Sequence, residues 1–268
     1  MVWIRRGLWA VLVLLVLAAA LAFLGLQLGE RRAARRIEVA VQPVPIPSDA
    51  AALERGRYLY TSRGCAECHG ANGAGRAFVD DPKAGVKIAG ANITKGGTGS
   101  ATTAYQPVDW VRSIRHGVNP AGRALRVMPS EDYNRFTDAD AGALIAYVLS
   151  LPPAAGGPAA VRMPLPARVL YGFGQIPDAA DRIDHRLPPQ QPVPEGVTLG
   201  HGRYVANLCQ GCHGDKFEGG KIPGAPPVRA APVSEQPRQR EVIRPGAPRA
   251  ADTESRSRPR PAFAGLPG

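Results

Sequence analysis

Four cysteines in 268 residues are too few for a disulfide-dense scaffold. Aromatic residues are also scarce, at 6%, so the cores are small or are filled by something other than side chains. Methionine occurs three times and not at all after Met163. The body of the chain is short of charge as well. A formal net charge of +11 would suggest nucleic acid, but residues 1–38 hold six arginines against two glutamates, and residues 229–268 hold eight arginines against four acids. The 190 residues between carry only +3, so a nucleic-acid-binding body is not supported. Glycine (31) and proline (27) are in excess. Together they make about 22% with no collagen period, which implies a loop-rich chain with some disordered stretches.

Leu8 to Leu28 is a 21-residue run without charge, bracketed by Arg5-Arg6 and by Arg31-Arg32 with Arg35-Arg36. At ~1.5 Å per residue it covers a hydrocarbon core of roughly 30 Å, and Trp3 and Trp9 suit the leading boundary. A cleaved signal peptide with Ala18-Ala19-Ala20 as its processing site is the competing reading. It leaves eight further apolar residues without a purpose, so a retained anchor is expected. The flanking arginines, four against two, favour placing residue 31 onward inside the cell, whereas the chemistry below requires the body outside. From Ile37 to Ser48 the chain is an extended spacer, with Pro43, Pro45 and Pro47 blocking a helix.

One unit occurs twice. The first copy reads GRYLYTSRGCAECHG over residues 56–70, and the second GRYVANLCQGCHG over 202–214. Each pairs a short Gly-Arg-Tyr helix with Cys-x-x-Cys-His, and all four cysteines are used. Repeated supersecondary units imply two similar domains. Cys-x-x-Cys-His is the attachment signature for c-type haem. Thiols three positions apart share one helical turn and can each add to a porphyrin vinyl group, while the next residue turns its imidazole to the iron. Other uses of such pairs fit less well. A thioredoxin-like pair needs a preceding strand, a zinc site would leave His69 and His213 idle, and paired disulfides in an exported protein do not account for the histidines. Cys65, Cys68, Cys209 and Cys212 are therefore the expected tethers, and His69 and His213 the proximal iron ligands.

Residues 50–152 resemble a class I c-type cytochrome domain, and specifically the membrane-anchored multi-haem c subunits of periplasmic alcohol- and aldehyde-type dehydrogenases. The resemblance rests on GRYLY, CAECHG, NIT at 92–94, DWVRSIRHGV at 109–118, VMPSEDYNRFTDAD at 127–140 and ALIAYVLSLPP at 143–153. Thr137 with Asp140 opens a helix as a variant capping box. Leu144, Ile145, Val148 and Leu149 follow helical spacing, and Pro152-Pro153 ends the element. In such folds the terminal helix crosses the first, where Gly56 would permit close approach to Tyr147. Asp109–Arg115 is a further short helix with Trp110, Val111 and Ile114 on one face. Met128, 59 residues after His69 and just before Pro129, is the expected second axial ligand. Thioether ligation raises the potential, and six-coordinate iron leaves no open position for substrate. His116 is read as a hydrogen-bonding histidine before an alternative ligand, and His185 as having no partner motif. Arg112, Arg115, Arg123 and Arg126 are candidates to meet haem propionates, against the alternative of solvated surface arginines.

The second unit begins well at Thr198, but after Pro227 the pattern stops. No methionine turn or closing amphipathic helix follows, and 55 residues remain after His213. The expectation is an all-α chain: a transmembrane anchor with basic flanks at 1–36, the spacer at 37–49 and a first cytochrome-c-like domain at 50–152. A connection follows at 153–197, then the start of an incomplete second domain at 198–228. Over 229–268 comes an Arg/Pro-rich tail too poor in apolar residues to order, whose abrupt onset suggests a shifted frame or truncation. The functional expectation is a di-haem electron carrier with two covalently attached c-type haems, facing the periplasm from the inner membrane. It would take single electrons from a dehydrogenase or quinol-oxidising complex and pass them to an oxidase or other terminal acceptor of a respiratory chain. The alternative is a di-haem peroxidase-like enzyme with a five-coordinate second haem, for which the sequence supplies no clear distal acid–base set.

Overall fold

In a computed structural model of the chain, residues 2–207, 209–213, 216–221 and 229–230 are described. The chain divides into two units, Met1–Leu208 and Cys209–Gly268. The Arg/Pro-rich tail beyond residue 230 lies outside the described residues.

The first unit is helical. A 33-residue helix, α1 (Val2–Ala34), leads into a non-helical stretch and then α2 (Ala50–Ser62) and the short α3 (Cys65–His69). Asp49 starts α2 by accepting from the Ala52 amide at 3.0 Å. Strands β1 (Ala77–Asp81) and β2 (Val86–Ala89) follow, then α4 (Pro107–His116), α5 (Ser130–Tyr133) and α6 (Asp138–Ser150). Beyond them lie β3 (Ala160–Arg162), α7 (Leu165–Gly172), α8 (Ala179–Arg182) and α9 (Leu199–Asn207).

Helices dominate, as the all-α reading expects, but a small antiparallel sheet of order β1-β2-β3 is also present and that reading missed it. Its hairpin is local chemistry. The Asp81 carboxylate accepts from the amides of Lys83 and Ala84, both at 3.0 Å. Gly85 then takes the left-handed conformation at φ +67°. Its third strand comes from 71 residues beyond Ala89, a pairing with no local sequence signature.

The core forms where α6 crosses α2. Leu144, Ile145 and Val148 of α6 join Leu59 and Tyr60 of α2, Trp110, Val111 and Ile114 of α4, and Phe136. Each large apolar side chain buried there stabilises by about 1.5–3 kcal/mol. The expected cap is present, Thr137 Oγ1 accepting from the Asp140 amide at 3.0 Å. The expected close approach is also present. A Cβ at Gly56 would lie 2.0 Å from the Ala143 carbonyl oxygen and 2.6 Å from Tyr147 Cβ. The helix with Trp110, Val111 and Ile114 on its buried face starts two residues earlier than expected, with Pro107 in its first turn.

The stretch between α1 and α2 is non-helical, as its prolines require, yet it packs against the body. Val44 is buried, and a Cβ at Gly142 would meet the Pro45 carbonyl at 2.1 Å. At the other end of the unit, Tyr204 of α9 is buried in the same core, its hydroxyl donating to Asp140 Oδ2 at 2.6 Å. Arg55 grips that carboxylate from the other side with Nε at 2.7 Å and Nη2 at 3.0 Å.

In the second unit, α10 (Gln210–His213) is a single turn, with the His213 amide bonded to the Cys209 carbonyl at 3.0 Å. Strands β4 (Gly220–Lys221) and β5 (Arg229–Ala230) pair antiparallel.

Candidate functional site

Helix α3 holds the first Cys-x-x-Cys-His. Gly64 enters it in the left-handed conformation at φ +77°, and Gly70 leaves it at φ +74°. Two tyrosines fix the backbone on either side, and sequence reasoning passed over both roles. Tyr60 donates its hydroxyl to the Gly70 carbonyl at 2.6 Å, and Tyr133 donates to the Arg63 carbonyl at 2.7 Å. Burial raises both phenols, so each stays protonated and able to donate.

The chain after His69 wraps back over the motif. The Gly75 amide bonds the His69 carbonyl at 2.8 Å, and the Arg76 amide bonds the Cys68 carbonyl at 3.0 Å. At Gly90 a Cβ would lie 2.1 Å from the Cys68 oxygen, so the backbone itself passes there. The NIT stretch is a buried polar hub. Asn92 donates to the carbonyls of Ala154 at 2.8 Å and Thr98 at 3.1 Å and accepts from the Thr94 amide at 2.9 Å.

This wrap brings the Ala91 carbonyl to His69 Nδ1 at 2.8 Å. A carbonyl can only accept, so the proton sits on Nδ1 and the lone pair on Nε2. That orients the imidazole as a metal ligand, with the basicity a hydrogen-bonded acceptor confers. Burial lowers the His69 pKa against the pull of that hydrogen bond, which favours the neutral form a ligand needs. Cys65 and Cys68 are unpaired with each other. Burial pushes the Cys65 thiol up to about 12 and raises Cys68 as well, Glu67 adding to the second shift. A thioredoxin-like pair requires the opposite, a depressed thiolate. Among the described residues, no group of three or more metal-binding side chains assembles a zinc-type site.

Met128 is half-buried and packs against the same apolar cluster as Cys65, Ala66, Ile93 and Tyr105. Two thiols on one helical turn and an imidazole with its Nε2 lone pair free suit the tethers and iron ligand of a covalently bound haem, and the Met128 thioether shares the core beside them.

The other candidates have different partners. Arg115 is buried, donating to the Phe136 carbonyl at 2.7 Å and pairing with Asp138 at 2.8 Å. Arg112 pairs with Asp109, and Arg123 reaches the Ala34 carbonyl at 3.3 Å. His116 is a hydrogen-bonding histidine, and its partner is His185, Nδ1 to Nδ1 at 3.0 Å, from 69 residues away. His185 Nε2 must donate to the Ala180 carbonyl at 3.0 Å. One ring donates and the other accepts across the Nδ1–Nδ1 contact. No sequence signal announces this pair.

Burial, then the charges of His185, Arg115 and Arg112, depress His116 to about 4. The unfolded chain binds a proton there near pH 6.5 and the folded one does not, so stability falls as pH drops from about 6.5 toward 4. The advantage of wild type over His116→Gln should shrink by about 1–2 kcal/mol between pH 7.5 and 4.5 after solvent screening. Thermal melts at both pH values measure it, and a pH-independent difference contradicts the assignment.

In the second unit, Cys209 is exposed and His213 half-buried. The side chain of Cys212 lies outside the described residues. Among those described, no acceptor meets the buried Nδ1 of His213, in contrast to His69.

Comparison with known proteins finds relatives for the part of the chain that carries the first motif. Residues 51–148 match the family described as cytochrome C oxidase, cbb3-type, subunit III. The chain is 29% identical over 182 residues to the fructose dehydrogenase cytochrome subunit of Gluconobacter japonicus, covering 64% of this chain and 36% of that protein. It is 30% identical over 197 residues to a nicotinate dehydrogenase subunit of Pseudomonas putida, covering 66% of this chain and 15% of that one. The chain thus spans little more than a third of one curated relative and less than a sixth of the other.

Proposed function

We propose that the c-type cytochrome domain formed by residues 51–148 serves a membrane-attached, di-haem electron carrier that accepts single electrons from a dehydrogenase. A domain of this kind carries covalently bound c-type haem and transfers electrons. Such a haem, when bound, supplies one-electron redox chemistry. The polypeptide's part is to tether and orient. Cys65 and Cys68 offer two neutral thiols on one turn, the Ala91 carbonyl holds His69 with Nε2 free, and Met128 supplies a thioether from the far side of the sequence. The single observation that carries the reading is the hydrogen bond from His69 Nδ1 to Ala91, because it gives the motif's histidine the tautomer, with Nε2 free, that an iron ligand would need.

The dehydrogenase partner is supported by the likeness to two dehydrogenase-associated subunits. Attachment to the membrane is supported by α1, which is long and apolar enough to cross one. Its end beyond any cleavage at Ala18–Ala20 is built into the fold. Gly25 and Gly29 are buried, and Arg35 reaches Asp178 at 3.2 Å. A second haem, with Cys209 and Cys212 as tethers and His213 as ligand, is supported by the repeat. A periplasmic position is supported by the haem-attachment motif rather than by the flanking arginines, with a quinol-oxidising complex as the alternative donor and an oxidase or other terminal acceptor downstream.

Covalent haem content against protein mass, on the detergent-purified full chain, tests this reading. Two haems that survive acidic organic extraction and titrate as one-electron centres are expected. A polypeptide that loses all its colour on extraction sinks it, and one haem removes the second site. Rapid peroxide turnover would select the enzymatic alternative.

A further inference from the structure

Helix α7 belongs to a stretch whose sequence is Pro-rich and without a motif, yet it is seated on α1 backbone to backbone. A Cβ at Gly172 would lie 1.8 Å from the Gly25 carbonyl oxygen. A Cβ at Gly25 would meet Val169 Cγ1 at 2.8 Å and Phe173 Cε2 at 2.9 Å, and Gly29 faces the Arg168 carbonyl at 3.5 Å. Ion pairs lock the seat from above. Arg32 reaches Asp181 at 2.5 Å and the Tyr171 carbonyl at 3.2 Å, while Asp178, 1% exposed, takes Arg35 at 3.2 Å and the Tyr171 hydroxyl at 3.2 Å.

The position of this seat along α1 is informative. Gly25 lies three residues inside the uncharged run that ends at Leu28, about 4.5 Å below its edge. Val169 and Phe173, which touch Gly25, share that depth. The side of α7 turned away from the protein is apolar. Leu165 is 53% exposed, Leu170 47%, Phe173 40% and Ile176 36%. Exposed arginines flank it along the chain: Arg31 and Arg36 at the end of the anchor, Arg162 before α7 and Arg168 on it, the last paired with Glu30 at 3.6 Å. An apolar face at the rim of a membrane-crossing segment, with cations on the flanking chain, matches the boundary between acyl chains and anionic headgroups.

We propose that α7 and the turn after it are an interfacial foot, with Leu165, Leu170, Phe173 and Ile176 embedded in the lipid boundary of the same bilayer that α1 crosses. This rests on reading α1 as a retained anchor. The chain then meets the membrane at two rigidly joined points, and the cytochrome domain is held at a fixed height and tilt instead of swinging on the spacer.

Nitroxide accessibility on the reduced holoprotein in nanodiscs with anionic lipid tests the proposal. Labels are placed singly at Leu170→Cys, at Leu14→Cys inside the apolar run and at Ala51→Cys, an exposed residue of α2. The unsubstituted protein gives the background. Leu170 should show an oxygen-to-nickel-chelate accessibility ratio severalfold above Ala51 and below Leu14. If Leu14 lies in lipid while Leu170 matches Ala51, the foot is wrong and the anchor stands. A Leu170 label shut off from both reagents means that protein covers the face, which also overturns it. A water-exposed Leu14 overturns the anchor itself.

Discussion

Met128→Ala lowers the reduction potential of the first centre by on the order of 100 mV or more, within a span of about 0.8 V across axial ligand sets. It also abolishes the sulfur-to-iron charge-transfer absorption of the oxidised protein. As the proposed ligand, Met128 can be lost without melting the loop. The chain just after it is pinned to the body. The Ser130 amide bonds the Met128 carbonyl at 2.8 Å, and the Ser130 hydroxyl donates to the Ser113 carbonyl at 2.9 Å. Ser130 and Tyr133 are buried, so α5 stays seated whatever side chain precedes Pro129. The packing loss is that of one half-buried thioether, whereas the electronic loss, on the proposed ligation, is a whole ligand. Redox titration with spectra of both oxidation states measures it. An unchanged spectrum transfers ligation to another residue.

What the sequence discloses and what it conceals divide by range of interaction. The cap at Thr137, the apolar face of α4 and the Cys-x-x-Cys-His motif are each written within a few residues, where spacing and side-chain chemistry carry the signal, whereas the crossing at Gly56 is expected only from the family resemblance. His116 with His185, Arg32 with Asp181, β2 with β3 and Tyr204 with Asp140 are joined across 64 to 149 residues, counting β2 with β3 as about 71. No period or cap announces such pairs. Arg32 and Arg35 also show why the charge bias around α1 misleads. They count toward an inward-facing body in a topology argument, yet in the fold they are the partners of Asp178 and Asp181. Pairing with a carboxylate as buried as Asp178 accounts for arginine there independently of any topology signal.

The largest effect on stability is expected where the two copies of the repeat can be set against each other. Gly56 and Gly202 hold the same place in the Gly-Arg-Tyr helix, and alanine at the two should act with opposite sign. At Gly56 the new Cβ would lie 2.0 Å from the Ala143 oxygen and 2.8 Å from its carbonyl carbon. These are backbone atoms of the crossing helix, which cannot swing aside as a flexible side chain would. Relief requires α6 to move off α2, and α6 carries Leu144, Ile145 and Val148 into the core. The cost is about 3 kcal/mol or more, at or beyond the usual limit for overpacking, or a melting temperature lower by roughly 6–12 °C for a unit of this size. At Gly202, among the described residues, nothing lies within 4 Å of the added Cβ. Alanine there removes the entropy that glycine brings to a helix and should stabilise α9 by up to about 1 kcal/mol. Thermal melts of the two single variants and wild type decide the matter. Equal destabilisation would mean that a crossing helix covers Gly202 in the folded protein, and hence that the second repeat closes as the first one does.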